Sequence, residues 1–405
     1  MTQMIQMNRR LLLGGLGAAG VGLAYAGRVA AQSASTRPKL VVVIARGAMD
    51  GLSVTVPYGD ANYRALRGAL AIGAPGEANG ALALSEGFGL HPALTTLHRM
   101  YGEGQMRFAP AVAIPVRIRS HFDAQDVLEN GGEGLRAQSD GWLNRALVSS
   151  GGQGALKGLS IGAQTPLILR GRAETSSWAP GGQVKGEDRI ASLLQDLYVE
   201  DPMLGTSLAR GLETEALASA MSDGTPLRRA DVAGLGQAVA RLMTGEQGAD
   251  VVALSVDGWD THARQNAQMQ TRLDGLDALI GGIRTGLGPQ WSQTVLVVAT
   301  EFGRTARANG TQGTDHGTAS SMLLAGGALK PGGPIGDWPT LADNRLFENR
   351  DLAPTLDVRS VFKGVLRDHL GVDRAALDAR VFPDSAASAA PVSYTHLTLP
   401  TIYSV

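Results

Sequence analysis

The stretch GTDHGTAS, Gly313 to Ser320, sets Asp315 and His316 side by side among glycines and small hydroxyl residues, in a 405-residue chain with seven histidines. An adjacent carboxylate and imidazole suit a general base whose ring the acid orients, or a pair of metal donors. Similar residues recur after apolar runs. Asp50 follows LVVVIA in RGAMDGLS; Asp257, Asp260 and His262 follow VVALSV in DGWDTH; Glu301 and Arg304 follow TVLVVA in TEFGRT. A further stretch, IRSHFDAQD, carries Arg119, Ser120, His121, Asp123 and Asp126. Carboxylates gathered at one place repel one another unless a cation balances them. Asp50, Asp260, His262, Glu301, Asp315 and His316 are therefore candidate ligands for a divalent metal, as one or two ions. Oxygen donors with one or two imidazoles suit zinc, manganese, iron, magnesium or calcium without choosing among them. Ser120 beside such a cation is a candidate nucleophile with His121 next to it, and Arg119 or Arg304 would hold an anionic substrate.

Each residue also has a plainer reading. Asp50 ahead of Gly51 suits a turn, Asp260-Thr261 suits a helix cap, and Ser120 suits the cap of a helix running through AQDVLEN. His262 or His316 alone would be an ordinary packed or surface histidine, and the Asp315-His316 pair can act as an oriented base without metal. Joint placement after strands is what favours the chemical reading.

The elements must supply that placement. LVVVIA (40–45), MRFAPAVAI (106–114), VVALSV (251–256) and TVLVVA (294–299) are continuous apolar runs, which predicts strands covered on both faces. Helical periodicity lies between them, in EDRIASLLQDLY from Glu187, LRRADVAGLGQAVARLM from Leu227 and QMQTRLDGLDALIGGIRTGL from Gln268. This alternation predicts an α/β sandwich with a largely parallel sheet. In such a sheet ligands sit beyond the carboxyl ends of the strands, so the strand-end acids would share one rim. The mainly helical region 171–248 reads as an insertion or cap within a domain spanning 38–384.

Composition bounds the rest. With 44% hydrophobic and 18% charged residues the chain can bury a core, and a net charge of −1 offers no electrostatic footprint for nucleic acid. There is no GxSxG elbow, P-loop or GxGxxG in strand–helix context, so serine-hydrolase and nucleotide-binding readings lack support. Arg9 and Arg10 precede an apolar run and then small residues at Ala30 and Ala31, as in a signal peptide of the twin-arginine type, 1–31. That predicts export of a folded protein by the twin-arginine translocase, to the periplasm or outside the cell. The absence of cysteine excludes disulfides and leaves Asp, Glu and His to bind any metal. Residues 385–405 read as a disordered tail, and PVSYTHLTLPTIYSV (391–405) resembles translated sequencing adaptor, so His396 is set aside.

Through RGAMDGLSVTVPYGD, GFGLHPAL, RSHFDAQD, DGWLNRAL, DGWDTHARQ, TEFGRTARANGTQGTDHGTAS, GDWPTL and DVRSVFKGVLRDHLGV, the chain resembles the family catalogued as domain of unknown function 1501. The resemblance runs from about Lys39 to Asp384. It implies an exported protein of the alkaline phosphatase and sulfatase superfamily: a three-layer sandwich in which strand-end acids and histidines hold two cations that activate a Ser or Thr nucleophile on a phosphate or sulfate ester. On that pattern Asp50 matches the acid after the first strand, Ser120 the nucleophile region, Asp260 and His262 the Asp/His pair, Glu301 the later acid and His316 the final histidine. Phe302 stands where active phosphatases carry a histidine, and the Asp260–His262 spacing is shorter than usual. These departures leave open a single-metal enzyme, a different metal, His121 as substitute ligand, or a non-catalytic exported protein binding a surface polymer or an exported protein partner.

Overall fold

The computed structural model describes residues 37–390, apart from 86, 151–155, 163, 181–230 and 246–247. The N-terminal signal, the periodic stretch from Glu187 and the segment 391–405 lie outside the described residues.

Eight strands form the main sheet: β1 (Lys39–Arg46), β5 (Met106–Ala113), β6 (Gly158–Ile161), β7 (Thr175–Trp178), β8 (Val251–Asp257), β9 (Thr294–Ala299), β10 (Ser320–Ala325) and β11 (Leu356–Asp357). Three two-residue strands, β2 (Thr55–Val56), β3 (Leu82–Ala83) and β4 (Gly89–Leu90), make a small antiparallel sheet. The order in the main sheet is β11-β5-β10-β9-β1-β8-β6-β7. All neighbours pair in parallel except β10, which runs antiparallel to both β5 and β9.

Among the described residues, the α-helices of four or more residues are α1 (Gly51–Val54), α2 (Tyr63–Arg67), α3 (Thr95–Gly102), α4 (His121–Asn130), α5 (Trp142–Ser149), α6 (Val232–Met243), α7 (Gln265–Leu287) and α8 (Val358–Leu370). Strand alternation splits β1 between two cores. Leu40, Val42 and Ile44 face Val127 of α4, Leu143 of α5 and Phe362 of α8, while Val41, Val43 and Ala45 face Val239 of α6 and Leu273 and Ile280 of α7. The result is a three-layer α/β/α sandwich, as the continuous apolar runs predict. Each fully buried Val or Leu contributes roughly 1.5–3 kcal/mol, which makes this sheet a rigid support for a polar rim.

Within the segment expected to be helical, Thr175–Trp178 joins the main sheet beside β6 and Val232–Met243 is a helix packed on α7. Past Asp384, residues 385–390 follow in turns, with Ser385 buried and its carbonyl accepting from Lys363 Nζ at 2.6 Å.

Candidate metal centre

Strand direction explains how distant segments meet. β1, β5, β8 and β9 are parallel, so the loops after them, carrying Asp50, Ser120, Asp260 and Glu301, leave one edge of the sheet. The inverted β10 begins at that edge, so the loop before it, carrying Asp315 and His316, arrives there too. The glycines of GTDHGTAS allow backbone to lie on backbone. A Cβ on Gly313 would stand 2.2 Å from the His262 carbonyl, and one on Gly317 would stand 2.3 Å from the carbonyl carbon of Arg304. The loop is laced down by Gly317 N to Gly303 O at 2.8 Å and Thr305 N to Asp315 O at 2.9 Å.

Three imidazoles converge there, each anchored through Nδ1. His316 Nδ1 lies 2.8 Å from the backbone oxygen of Arg119, which can only accept, so Nδ1 carries the proton and Nε2 the lone pair. His121 Nδ1 meets Glu301 Oε1 at 2.8 Å, and His262 Nδ1 meets Asp315 Oδ1 at 3.3 Å. His316 Nε2 then stands 3.1 Å from the Nε2 of both His121 and His262. Asp260 Oδ1 is 2.9 Å from His262 Nε2 and 3.1 Å from His316 Nε2, and its Oδ2 is 3.4 Å from His121 Nε2. Where these nitrogens carry lone pairs they repel, and a cation among them, a proton or a metal, removes the conflict. Donors that share one ion at ~2.0–2.1 Å stand about 2.9–3.4 Å apart, so these separations fit a metal ion. His121, Asp260 and His316 each offer a donor atom within 4.8 Å of the others.

Buried charge sets the protonation of this group. Burial alone would raise the Asp260 carboxyl, but the hydrogen bond and charge of Arg304, with His262 and His316, hold it below the usual carboxylate range. Burial likewise opposes ionisation of Glu301, and is outweighed by His121, Gln125 and the Gly47 amide, so its pKa is also depressed. The Asn309 hydrogen bond chiefly lowers Asp315, against slight burial, with help from His262. The hydrogen bond that His121 donates to Glu301 chiefly raises the His121 pKa. Both anchoring carboxylates are thus ionised acceptors, which keeps a proton on Nδ1 of His121 and His262, an arrangement typical of metal-binding histidines.

The structure brings His121, Asp260, His262 and His316 together, with Glu301 and Asp315 one step behind as anchors. Asp50 lies elsewhere: it is 1% exposed, and its Oδ2 accepts from Arg67, from Ser53 Oγ at 2.7 Å and from Gln265 Nε2 at 2.5 Å. Arg304 is buried and faces no solvent; it holds Asp260 Oδ1 at 2.6 Å and the hydroxyl and carbonyl of Thr314. Arg119 is partly exposed and bonded to Glu348 and Asp351, each at 2.7 Å. Ser120 is exposed, opens α4 and makes no side-chain capping bond.

Three features escaped the sequence reading. Arg67, in YRALR, and Gln265, at the start of α7, carry no motif signal. Gln265 joins the rim loops, since its Oε1 accepts from Thr261 at 3.0 Å and Thr314 at 2.6 Å while its Nε2 reaches Asp50. Arg350 donates to the His316 carbonyl at 2.8 Å. Phe302, in place of the expected histidine, stacks on His121 with ring centroids 4.9 Å apart at 25°. Beside α4 lies a cleft of about 850 Å³, whose lining includes Arg46, Gln125, Arg170 and Ser255, with Phe122 87% exposed at its rim.

A family described as "Protein of unknown function (DUF1501)" matches residues 101–381. No curated protein matches by sequence. Solved structures similar to the chain include the C-terminal periplasmic domain of EcEptC from Escherichia coli in complex with Zn, at 9% identity, covering 85% of this chain and 86% of that chain with a TM-score of 0.43. The phosphonate monoester hydrolase of Agrobacterium radiobacter matches at 12% identity over 83% and 74%, TM-score 0.40. BT1596, a 2-O GAG sulfatase, matches at 11% over 85% and 72%, TM-score 0.38.

Proposed function

The chain belongs to the DUF1501 family, whose description names no activity, and from its site we propose an exported, metal-dependent hydrolase of phosphate or sulfate esters. The observation that carries this reading is the convergence of three Nδ1-anchored imidazoles, His121, His262 and His316, on the carboxylate of Asp260. Two nitrogen donors, from His121 and His316, with the Asp260 oxygen and with His262 alongside, favour zinc, manganese or iron over magnesium or calcium. When bound, such an ion supplies positive charge against the anionic group of the ester and its developing negative charge. Ser120 is the nucleophile: its oxygen bonds to phosphorus or sulfur, the ester oxygen departs as the alcohol, and water then releases the acid. Arg119, beside Ser120, orients the anion from the exposed part of its guanidinium. Export rests on Arg9, Arg10 and the apolar run behind them; among the described residues no helix is long and apolar enough to cross a membrane.

A second reading, a non-catalytic exported protein that keeps an ion for structure, draws on Arg119, whose charge already meets Glu348 and Asp351. Elemental mass spectrometry with assays on 4-nitrophenyl phosphate and 4-nitrophenyl sulfate separates the two. The hydrolase reading expects bound metal in the wild type and in Ser120→Ala, with turnover lost by at least 100-fold in the variant. Metal without turnover on either ester favours the second reading, and absence of metal sinks both.

A further inference from the structure

We infer that the centre holds a single ion, and that the buried guanidinium of Arg67 neutralises Asp50 where a second cation would otherwise be required. This rests on the metal-centre reading above and adds its stoichiometry. The sequence offers enough strand-end carboxylates for two ions, so the question is which of them still need a cation once folded.

Most are already satisfied by the chain. Arg67 reaches in from α2 with its side chain fully buried; its Nη2 bonds Asp50 and lies 3.1 Å from Ser53 Oγ, and its Nη1 donates to the Thr305 carbonyl at 3.3 Å. A divalent ion on Asp50 would sit against that fixed charge in a space closed to water, where like charges repel strongly. Asp50 Oδ1 is buried without a partner, but one oxygen does not make a site. Glu301 is also occupied. Its Oε1 accepts from His121, from Gly47 N at 2.8 Å and from Gln125 at 3.0 Å, and its Oε2 accepts from Thr300 at 3.0 Å. Phe302, next in sequence, supplies no donor and packs on His121 instead. Asp351 takes Arg119 and the Thr318 hydroxyl, with Arg350 at 3.4 Å. Asp260 Oδ1 is held by Arg304 at 2.6 Å too, but its side chain is 42% exposed, and among the described residues it is here that imidazole nitrogens and a carboxylate crowd together at 2.9–3.4 Å beyond what one guanidinium satisfies.

The test is metal stoichiometry on the full chain, purified after native export, by elemental mass spectrometry with circular dichroism to confirm folding. The expected result is one transition ion per chain in the wild type, still one in Asp50→Asn, and none in Asp260→Asn or His316→Ala. Two ions in the wild type, or an ion lost in a folded Asp50→Asn, overturns the single-ion centre while leaving a metal enzyme in place. No ion in the wild type overturns the metal-centre reading itself. Should Asp50→Asn fail to fold, crystals measured at the ion's absorption edge decide the matter: one anomalous peak among His121, His262 and His316 supports the inference, and a second peak at Asp50 refutes it.

Discussion

Each histidine of the proposed centre is a two-part device, with Nε2 turned to the other donors and Nδ1 tethered to something that can only accept a hydrogen bond. The tethers differ in quality. Glu301 is completely buried and receives four donors, whereas the Asp315 side chain is 56% exposed and meets His262 at the longer distance of 3.3 Å. Removing the charge from such an anchor typically weakens metal affinity about 10–100-fold. Glu301→Gln is therefore expected near the upper end of that range and Asp315→Asn near the lower end, measured as zinc competition against a chromophoric chelator. Equal affinities for wild type and Glu301→Gln would show that Glu301 merely fills space. At this scale the sequence exposed all four converging residues, because Asp, His and Ser after apolar runs are conspicuous. It did not separate ligand from anchor, since Asp260 and Asp315 look alike on paper and differ only in which atoms they face. Arg67 and Gln265 were invisible for a related reason: their partners lie 17 and 215 positions away.

Elements decide which of these residues meet. Strands β1, β5, β8 and β9 were legible as continuous apolar runs, and so was the helix through AQDVLEN. Strand order and direction were not, because nothing in SSMLLA announces that β10 runs against its neighbours. That reversal carries GTDHGTAS to the rim, and tight backbone contact then holds it. The loop contains its own control. Gly317→Ala places a methyl 2.3 Å from the Arg304 backbone, which forces a shift, whereas a Cβ at Gly310 meets nothing within 4 Å. Overpacking of this kind costs about 1–3 kcal/mol. Gly317→Ala should lose that much stability in urea denaturation and release metal to chelator more readily, because His316 is its neighbour. Gly310→Ala should match the wild type within about 0.5 kcal/mol. If the two variants behave alike, close packing of the loop is not what positions His316.

At the scale of the molecule, two histidines outside the proposed centre add to the acid sensitivity that the depressed carboxylates of the rim confer. Burial pushes His91 and His369 down to about 4 from an ordinary 6.5. The hydrogen bonds explain why charging them is costly. The Ala93 amide donates to His91 Nδ1 at 3.1 Å, so a proton there would displace that bond. His369 Nε2 faces the Lys39 carbonyl at 2.9 Å while its buried Nδ1 has no partner, so protonation would strand a donor. A depressed histidine binds more protons unfolded than folded between these two pKa values, so stability falls as pH drops from about 6.5 towards 4. A shift of about 2.5 units corresponds to roughly 3 kcal/mol for each residue, or about 6 kcal/mol together. His121 contributes in the opposite sense, because its pKa is raised by Glu301 and favours the folded state below 6.5. Urea denaturation of chelator-treated protein at pH 7, 5.5 and 4.5 isolates these terms from metal release. The wild type should lose several kcal/mol across that series, and His369→Gln, whose amide can still donate to the Lys39 carbonyl, should lose about half as much. A variant slope equal to that of the wild type would mean that His369 stays neutral in both states, leaving acid lability to the carboxylates of the rim.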